Sequence, residues 1–298
     1  MPNSSGGKRF PSFYGVPVVN ENSNHRRPLF FKMHGGGNDF VLIDHRELFI
    51  PEAEQSRFAQ RLCAPKLGVG ADGLILIEDS TRADFRWRFY NADGSEAEMC
   101  GNGARCAARF AVINGIAQPR LTFETLAGLI EAEVLNHQVR VGLADVGDFR
   151  FNVSIPLQEQ TLAAHFMKVG VPHTVVPVEN LEGAPVRQWG REVRFHQMFQ
   201  PAGTNVNFIR TKSPHVLELR TYERGVEDET LACGTGAVAA ALISARLGTV
   251  TSPVAVHTRG GEILIVSFHV KGEKITEVFL EGEALVVYQG ELWLDELK

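Results

Sequence analysis

The chain has 298 residues, of which 44% are hydrophobic and 22% charged, and its formal net charge is -5. That is the make-up of an ordinary globular protein, long enough for one large domain or two of usual size and apolar enough for a sizeable core. The negative balance excludes a general polyanion binder, so nucleic acid is not an expected partner. No apolar run approaches the roughly 20 residues of a membrane-spanning helix, so no membrane partner is expected either. Residues 1–28 are rich in Asn, Ser, Pro and Gly and contain no apolar signal-peptide stretch. They read as a flexible N-terminal arm on a cytoplasmic protein.

In chain order, the pattern predicts short strands at Leu29 to Met33 and Phe40 to Asp44, joined by His34-Gly-Gly-Gly-Asn-Asp39. Three successive glycines suit either a plain hairpin turn or a place where the backbone approaches something closely. Glu52 to Leu62 has helical spacing after Pro51 and ends at Cys63, a small buried hydrophobe on this reading. Strands follow at Leu74 to Glu78 and at Phe85 to Tyr90, which alternates aromatic residues with arginine. After the helix that begins near Cys100 and stops at Asn114-Gly115, strands are expected at Leu121 to Glu124, Leu129 to Leu135 and Gln138 to Leu143. The second half repeats the scheme. Strands are predicted at Lys168 to Val169, His173 to Val178, Asn205 to Arg210 and Val216 to Tyr222, with a helix over Leu181 to Phe199. A second cysteine helix runs to about Leu247 and stops at Gly248. Strands at Val254 to His257, Glu262 to Ser267, Glu277 to Leu280 and Ala284 to Tyr288 complete the chain.

The repeat is explicit in one motif. Cys100-Gly-Asn-Gly-Ala-Arg-Cys-Ala-Ala108 and Cys233-Gly-Thr-Gly-Ala-Val-Ala-Ala-Ala241 share Cys-Gly-x-Gly-Ala-x-x-Ala-Ala. Each copy opens a helix and follows an acidic turn, Asn91 to Glu96 in one half and Glu223 to Glu229 in the other. The helices are nearly all apolar, which calls for each to be wrapped by strands. The fold class expected is therefore α+β: two pseudo-symmetric domains, each a curled, barrel-like, mostly antiparallel sheet around a central helix. The halves are placed at 29–145, joined by a C-terminal strand at 286–298, and at 146–285.

A helix start carries unpaired N–H groups and the positive end of the dipole, and both favour a thiolate or a bound carboxylate. Two such starts, converging, can hold an α-carboxylate between the N–H groups of Gly101, Asn102, Gly234 and Thr235. A thiol on either side of the α-carbon then inverts it by proton transfer, with no cofactor and no metal. The competing reading is a dinucleotide turn at Gly234-Thr-Gly-Ala-Val-Ala, but the preceding strand ends near Tyr222, too early for it. Cys106 falls about 120° round the helix from Cys100 and reads as core. No Cys-x-x-Cys pair suggests structural zinc, and free thiols in a reducing compartment are expected.

With His34-Gly-Gly-Gly-Asn-Asp-Phe40, Asn91-Ala-Asp-Gly-Ser-Glu96 before Cys100, and Tyr222-Glu-Arg-Gly225 before Leu231-Ala-Cys233, the sequence resembles the diaminopimelate epimerase family from about Phe31 to the C-terminus. The resemblance implies interconversion of LL- and meso-2,6-diaminopimelate, in lysine and peptidoglycan-precursor synthesis, by a homodimer with its site in the cleft between the halves. It implies Cys100 and Cys233 as the two bases and Asn38, Asn91 and Asn205 as substrate-binding asparagines. Glu223 and Arg224 match the residues that hold the ammonium and distal carboxylate; Gly101, Asn102, Gly234 and Thr235 match the α-carboxylate cradle. His173 matches a histidine that, with Glu223, supports thiol reactivity. Three departures stand out. Val171 replaces an asparagine found before the Pro-His pair in many members, Gly73 stands where some carry glutamine, and the turn after Glu223 is one residue longer. They leave room for a racemase of another amino acid, or for a non-catalytic amino-acid-binding relative.

Overall fold

The computed structural model describes residues 27–143, 146–272 and 274–294. Apart from its last two residues, the arm expected over 1–28 lies outside them. The first half runs β1 (Leu29–Gly35), β2 (Asn38–Asp44), α1 (Glu52–Cys63), β3 (Gly73–Glu78), β4 (Phe85–Asn91), α2 (Gly101–Ile113), β5 (Arg120–Thr125), β6 (Gly128–Leu135) and β7 (Gln138–Gly142). The next elements are β8 (Val146–Pro156), β9 (Thr161–Val169), β10 (Val171–Pro177), α3 (Val186–Arg194), a 3-10 turn at Gln197–Phe199, β11 (Asn205–Ser213), β12 (Val216–Glu223) and β13 (Asp228–Thr230). Then come α4 (Gly234–Arg246), β14 (Val254–His257), β15 (Ile263–Lys271), β16 (Lys274–Glu283) and β17 (Leu285–Glu291).

The duplication is visible in the pairing. β2 and β3 are parallel across α1, as β10 and β11 are across α3. β4 and β5 are parallel across α2, as β12 and β14 are across α4. Parallel neighbours need a crossover, and in each half the helices supply both. The other pairings are antiparallel, so the α+β class and the curled sheet around a central helix hold. β7 pairs with β16 and β1 with β17, and β16 runs straight into β17, so the strand circuit around α2 closes through these two strands.

Both central helices are buried as their composition requires. Ala104, Cys106, Ala107, Ala108 and Ala111 of α2, and every residue from Ala237 to Ile243 of α4, are fully out of solvent. Cys106 is core, and so is Cys63 at the end of α1; burial pushes both thiols up to about 12.

Several elements differ from expectation. β8 was not anticipated, and Lys168-Val169 is only the end of the nine-residue β9. The helix expected over Leu181 to Phe199 is shorter: Pro185 caps α3, and the chain leaves it at Phe195 before the 3-10 turn. The acidic turn from Glu223 contains the short strand β13.

Candidate active site

Each motif cysteine is the N-cap residue of its helix, Cys100 for α2 and Cys233 for α4, with extended backbone in both. The first helical bonds run from Ala104 N–H to Cys100 O and from Ala237 N–H to Cys233 O. The N–H groups before them in each helix are left to other partners, as at every helix start. The two starts meet over one side chain, the fully buried Leu280 of β16. A Cβ on Gly101 would lie 3.4 Å from Leu280 Cδ2, and a Cβ on Gly234 only 2.9 Å from it. The same point on Gly234 is 3.8 Å from Asn102 Oδ1, which puts the two proposed half-cradles side by side.

Around Cys100 the contacts are polar. Its Sγ donates to Asn38 Oδ1 at 3.5 Å, and Asn102 Nδ2 donates to the same oxygen at 3.5 Å. Asn38 Nδ2 in turn donates to Asp72 Oδ2 at 2.6 Å. Asp72 and Asp39 each accept from the other's backbone N–H, and Lys32 pairs with Asp39 at 2.7 Å. The half-buried Cys100 thiol is held above its usual value. Desolvation is the main cause, opposed by the facing N–H groups of Gly103 and Asn102 and aggravated by Glu223.

Cys233 is almost fully buried, with Thr235 Oγ1 at 3.8 Å from its Sγ. Burial pushes this thiol up strongly, and the negative charge of Glu223 adds to the effect. Glu223 therefore faces both cysteines. Its own carboxyl is raised, first by burial and then by the charge of Asp72, while Thr230 Oγ1 donates to its Oε2 at 2.8 Å.

His173, on β10, is fully buried. Its Nδ1 lies 3.2 Å from Asn207 Nδ2, and Thr221 Oγ1 donates to Asn207 Oδ1 at 3.0 Å. With the amide fixed in that sense, Nδ1 is the acceptor and Nε2 carries the proton. Burial, helped by the charge of Arg224, lowers His173 to about 3, so the ring is neutral. Its Nε2 has no hydrogen-bond partner among the described residues.

Asn205 uses both ends of its side chain. Nδ2 donates to Pro172 O at 3.2 Å, and Oδ1 accepts from the Arg224 N–H at 2.8 Å, so it pins the Glu223–Arg224 turn to β10. Arg224 Nη1 donates to Ala202 O at 3.1 Å. Asn91 is exposed at the end of β4, opposite Gly73, and its Nδ2 donates to Ser95 Oγ at 3.0 Å. It is joined to the Asn38 side through its pairing with Gly73, which pairs with Phe40, and through the Ala92 N–H to Asp72 O bond.

The triple glycine is both things it was expected to be. It turns the β1–β2 hairpin, and the second half approaches it. A Cβ on Gly36 would collide with Glu262 Oε2 and sit 3.2 Å from Ala232 Cβ, and one on Gly37 would lie 3.2 Å from Leu231 Cδ1. Both glycines have positive φ, which a side chain would strain in any case.

Sequence reasoning missed Asp72, Asn207, Arg105, Glu262 and Leu280. Asn207 carries a usable signal: it is two residues from Asn205 on one strand, hence on the same face. The others become neighbours only through tertiary contact.

Fold and site together define a class of pseudo-symmetric proteins in which two cysteine-headed helices meet where the halves join. The sequence profile of the family described as Diaminopimelate epimerase matches residues 30–151 and 165–287, and the chain belongs to that family. The diaminopimelate epimerase of Aquifex aeolicus is 48% identical over 274 residues, covering 88% of this chain and 97% of that protein. That of Chlorobaculum tepidum is 46% identical over 267 residues, covering 88% and 100%. That of Archaeoglobus fulgidus is 42% identical over 287 residues, covering 91% and 99%. Among solved structures, a Bacillus anthracis phenazine biosynthesis protein of the PhzF family superposes with a TM-score of 0.67 at 17% identity, covering 90% and 99% of the two chains. A hydroxyproline epimerase from Agrobacterium vitis, with bound trans-4-hydroxy-L-proline, gives 0.65 at 14% identity, covering 91% and 93%. These two share the fold.

Proposed function

We propose that this chain interconverts LL- and meso-2,6-diaminopimelate by two-base proton transfer, with Cys100 and Cys233 as the bases. The observation that carries the reading is the pairing of two N-cap cysteines on helices that meet over Leu280, both within the field of Glu223.

A thiolate on one face takes the α-proton, and the electron pair moves into the α-carboxylate as an enediolate. The N–H groups of Gly101, Asn102, Gly234 and Thr235 receive that developing charge. The thiol on the other face returns a proton to the α-carbon, so the configuration is inverted and no group is gained or lost. Without substrate, burial and the Glu223 carboxylate keep both sulfurs protonated. The substrate's α-ammonium, arriving beside Glu223, cancels that field and brings the thiols toward ionisation. Neutral His173 adds no competing positive charge. Arg224 holds the distal carboxylate, its planar fork being suited to that group, and Asn38, Asn91 and Asn205 orient the amino acid around it. The family resemblance supports extending the reading to a cytoplasmic homodimer of two like halves.

The test is diaminopimelate in deuterium oxide. The native enzyme incorporates deuterium at the α-carbon as it inverts it. Cys100→Ala and Cys233→Ala should each abolish inversion, leaving at most one-sided exchange. Full activity in either variant refutes the pair.

A second reading, a racemase of another amino acid, draws on the distal end. Val171 brings no amide there, and a side chain at Gly73 would lie 2.6 Å from Phe89 Cε2 and 2.8 Å from Tyr90 O, so none fits. A panel of amino acids assayed for loss of optical purity separates the two readings.

A further inference from the structure

Arg105 heads the largest fully buried side chains, with no solvent exposure at all. It lies in the first turns of α2, inside a helix that is mostly small and apolar. A guanidinium taken wholly out of water is costly unless its N–H groups are answered. Its Nε donates to Glu283 O at 3.2 Å. Its Nη2 donates to Asn102 Oδ1 at 3.0 Å and to Glu262 Oε1 at 3.2 Å, while Nη1 has no hydrogen-bond partner among the described residues. Three glycines make room for this group. A Cβ on Gly35 would sit 3.1 Å from Arg105 Nη2, one on Gly282 3.1 Å from Arg105 Cζ, and one on Gly36 would strike Glu262. Glu262, with Glu283 and His34 also facing it, belongs to the turn before β15 in the second half of the chain. Arg105 thus ties the first cysteine helix to the opposite half.

The tie also has a direction. A guanidinium can only donate, so Asn102 must turn its oxygen to Arg105, and its Nδ2 is left to donate to Asn38 Oδ1. Asp72 holds the other end of the Asn38 amide. The oxygen that Asn38 presents to Cys100 Sγ is therefore fixed from both sides, and the chain of bonds from Glu262 to the sulfur passes through Arg105.

We propose that Arg105 is a positioning residue for the proton transfer, setting the Asn102 and Asn38 amides against Cys100 and latching the first cysteine helix to Glu262. The proposal rests on the two-thiol reading above.

The test is a mutant cycle on kcat with diaminopimelate. Arg105→Met combined with Glu262→Met replaces the buried pair by apolar groups, an exchange that often leaves folding intact. That variant should melt as a folded protein yet lose at least tenfold in kcat, with KM within about threefold of native. Asn102→Ala, which keeps its backbone N–H, should lose kcat similarly. Because both act along one path, the triple variant should be no slower than the slower of the two. Arg105→Lys keeps the charge but not the fork, so it should also lose kcat, and it carries the same cycle if the double-methionine variant fails to fold. Native kcat in the Arg105 variants, or multiplicative losses in the cycle, would overturn the proposal. Inactive Cys100→Ala beside fully active Arg105 variants would sink this inference alone. Fully active Cys100→Ala would sink the two-thiol reading beneath it.

Discussion

Gly234→Ala sets two known effects against each other at one atom. Replacing glycine by alanine in a helix stabilises it by about 0.5–1 kcal/mol through backbone propensity. The new Cβ, however, would lie 2.9 Å from Leu280 Cδ2. Ordinary carbon contacts fall at about 3.5–4.0 Å, so α4 or Leu280 must yield by about 0.6–1.1 Å. Leu280 is fully buried, and overpacking costs about 1–3 kcal/mol. The expected net is a loss of about 0.5–2 kcal/mol. A shift approaching 1 Å at the carboxylate cradle should also lower kcat on the order of a hundredfold. Gly101→Ala is the internal control. Its Cβ would stand 3.4 Å from the same methyl group, so propensity wins and stability should be native or slightly higher. Urea denaturation reads the first quantity and α-hydrogen exchange the second. Adding Leu280→Val to Gly234→Ala should restore part of kcat. A Gly234→Ala protein as stable and active as native, or a Gly101→Ala protein as destabilised as its counterpart, would refute the shared-floor geometry.

Glu223→Gln should make both thiols more reactive in the substrate-free enzyme, because it removes a negative charge that holds them protonated; faster iodoacetamide labelling of Cys100 and Cys233 at neutral pH checks this, and unchanged labelling contradicts it. The same variant should bind diaminopimelate more weakly, read as a raised KM. His173 is lowered to about 3 by burial, so the unfolded chain takes up a proton there before the folded one does. Its contribution favours folding above about pH 6.5 and is lost progressively as the pH falls toward 3, by about 1.4 kcal/mol per unit. His173→Gln should therefore shrink the drop in unfolding free energy between pH 6.5 and 4.5 by about 2 kcal/mol; an identical drop in both proteins argues against a neutral buried ring.

The repeated Cys-Gly-x-Gly-Ala motif was enough to place both helix starts, since a helix N-terminus is a local event written in neighbouring residues. The two-half architecture followed from the same repeat. β8 stayed hidden for a local reason too. It alternates in exposure, but Asp148 and Asn152 take positive φ, and its register against β9 shifts twice. The helix expected from Leu181 was overextended because its apolar spacing continues past Phe195, where the chain turns out of it. Arg105 was illegible in a different way. In a periodicity argument an arginine counts as a surface residue, and the partners that bury it, Glu262 and the carbonyl of Glu283, are 157 and 178 positions away. Asn207 and His173, 34 positions apart, are brought together only by the parallel pairing of β10 with β11.

The closure of the first strand circuit by β16 and β17 has a consequence for how the molecule is made. A ribosome delivers β1 and β7 early, and the segment that pairs with both of them, β16–β17, emerges after every other described strand. Until then each has a row of backbone groups with no strand to answer them, and Gly101 lacks the leucine it rests on. The amino-terminal half thus cannot mature as synthesis proceeds, and a nascent chain stalled before Lys274 should remain open to protease along β1 and β7. A frameshift just before β16 would strike the first cysteine as directly as the second.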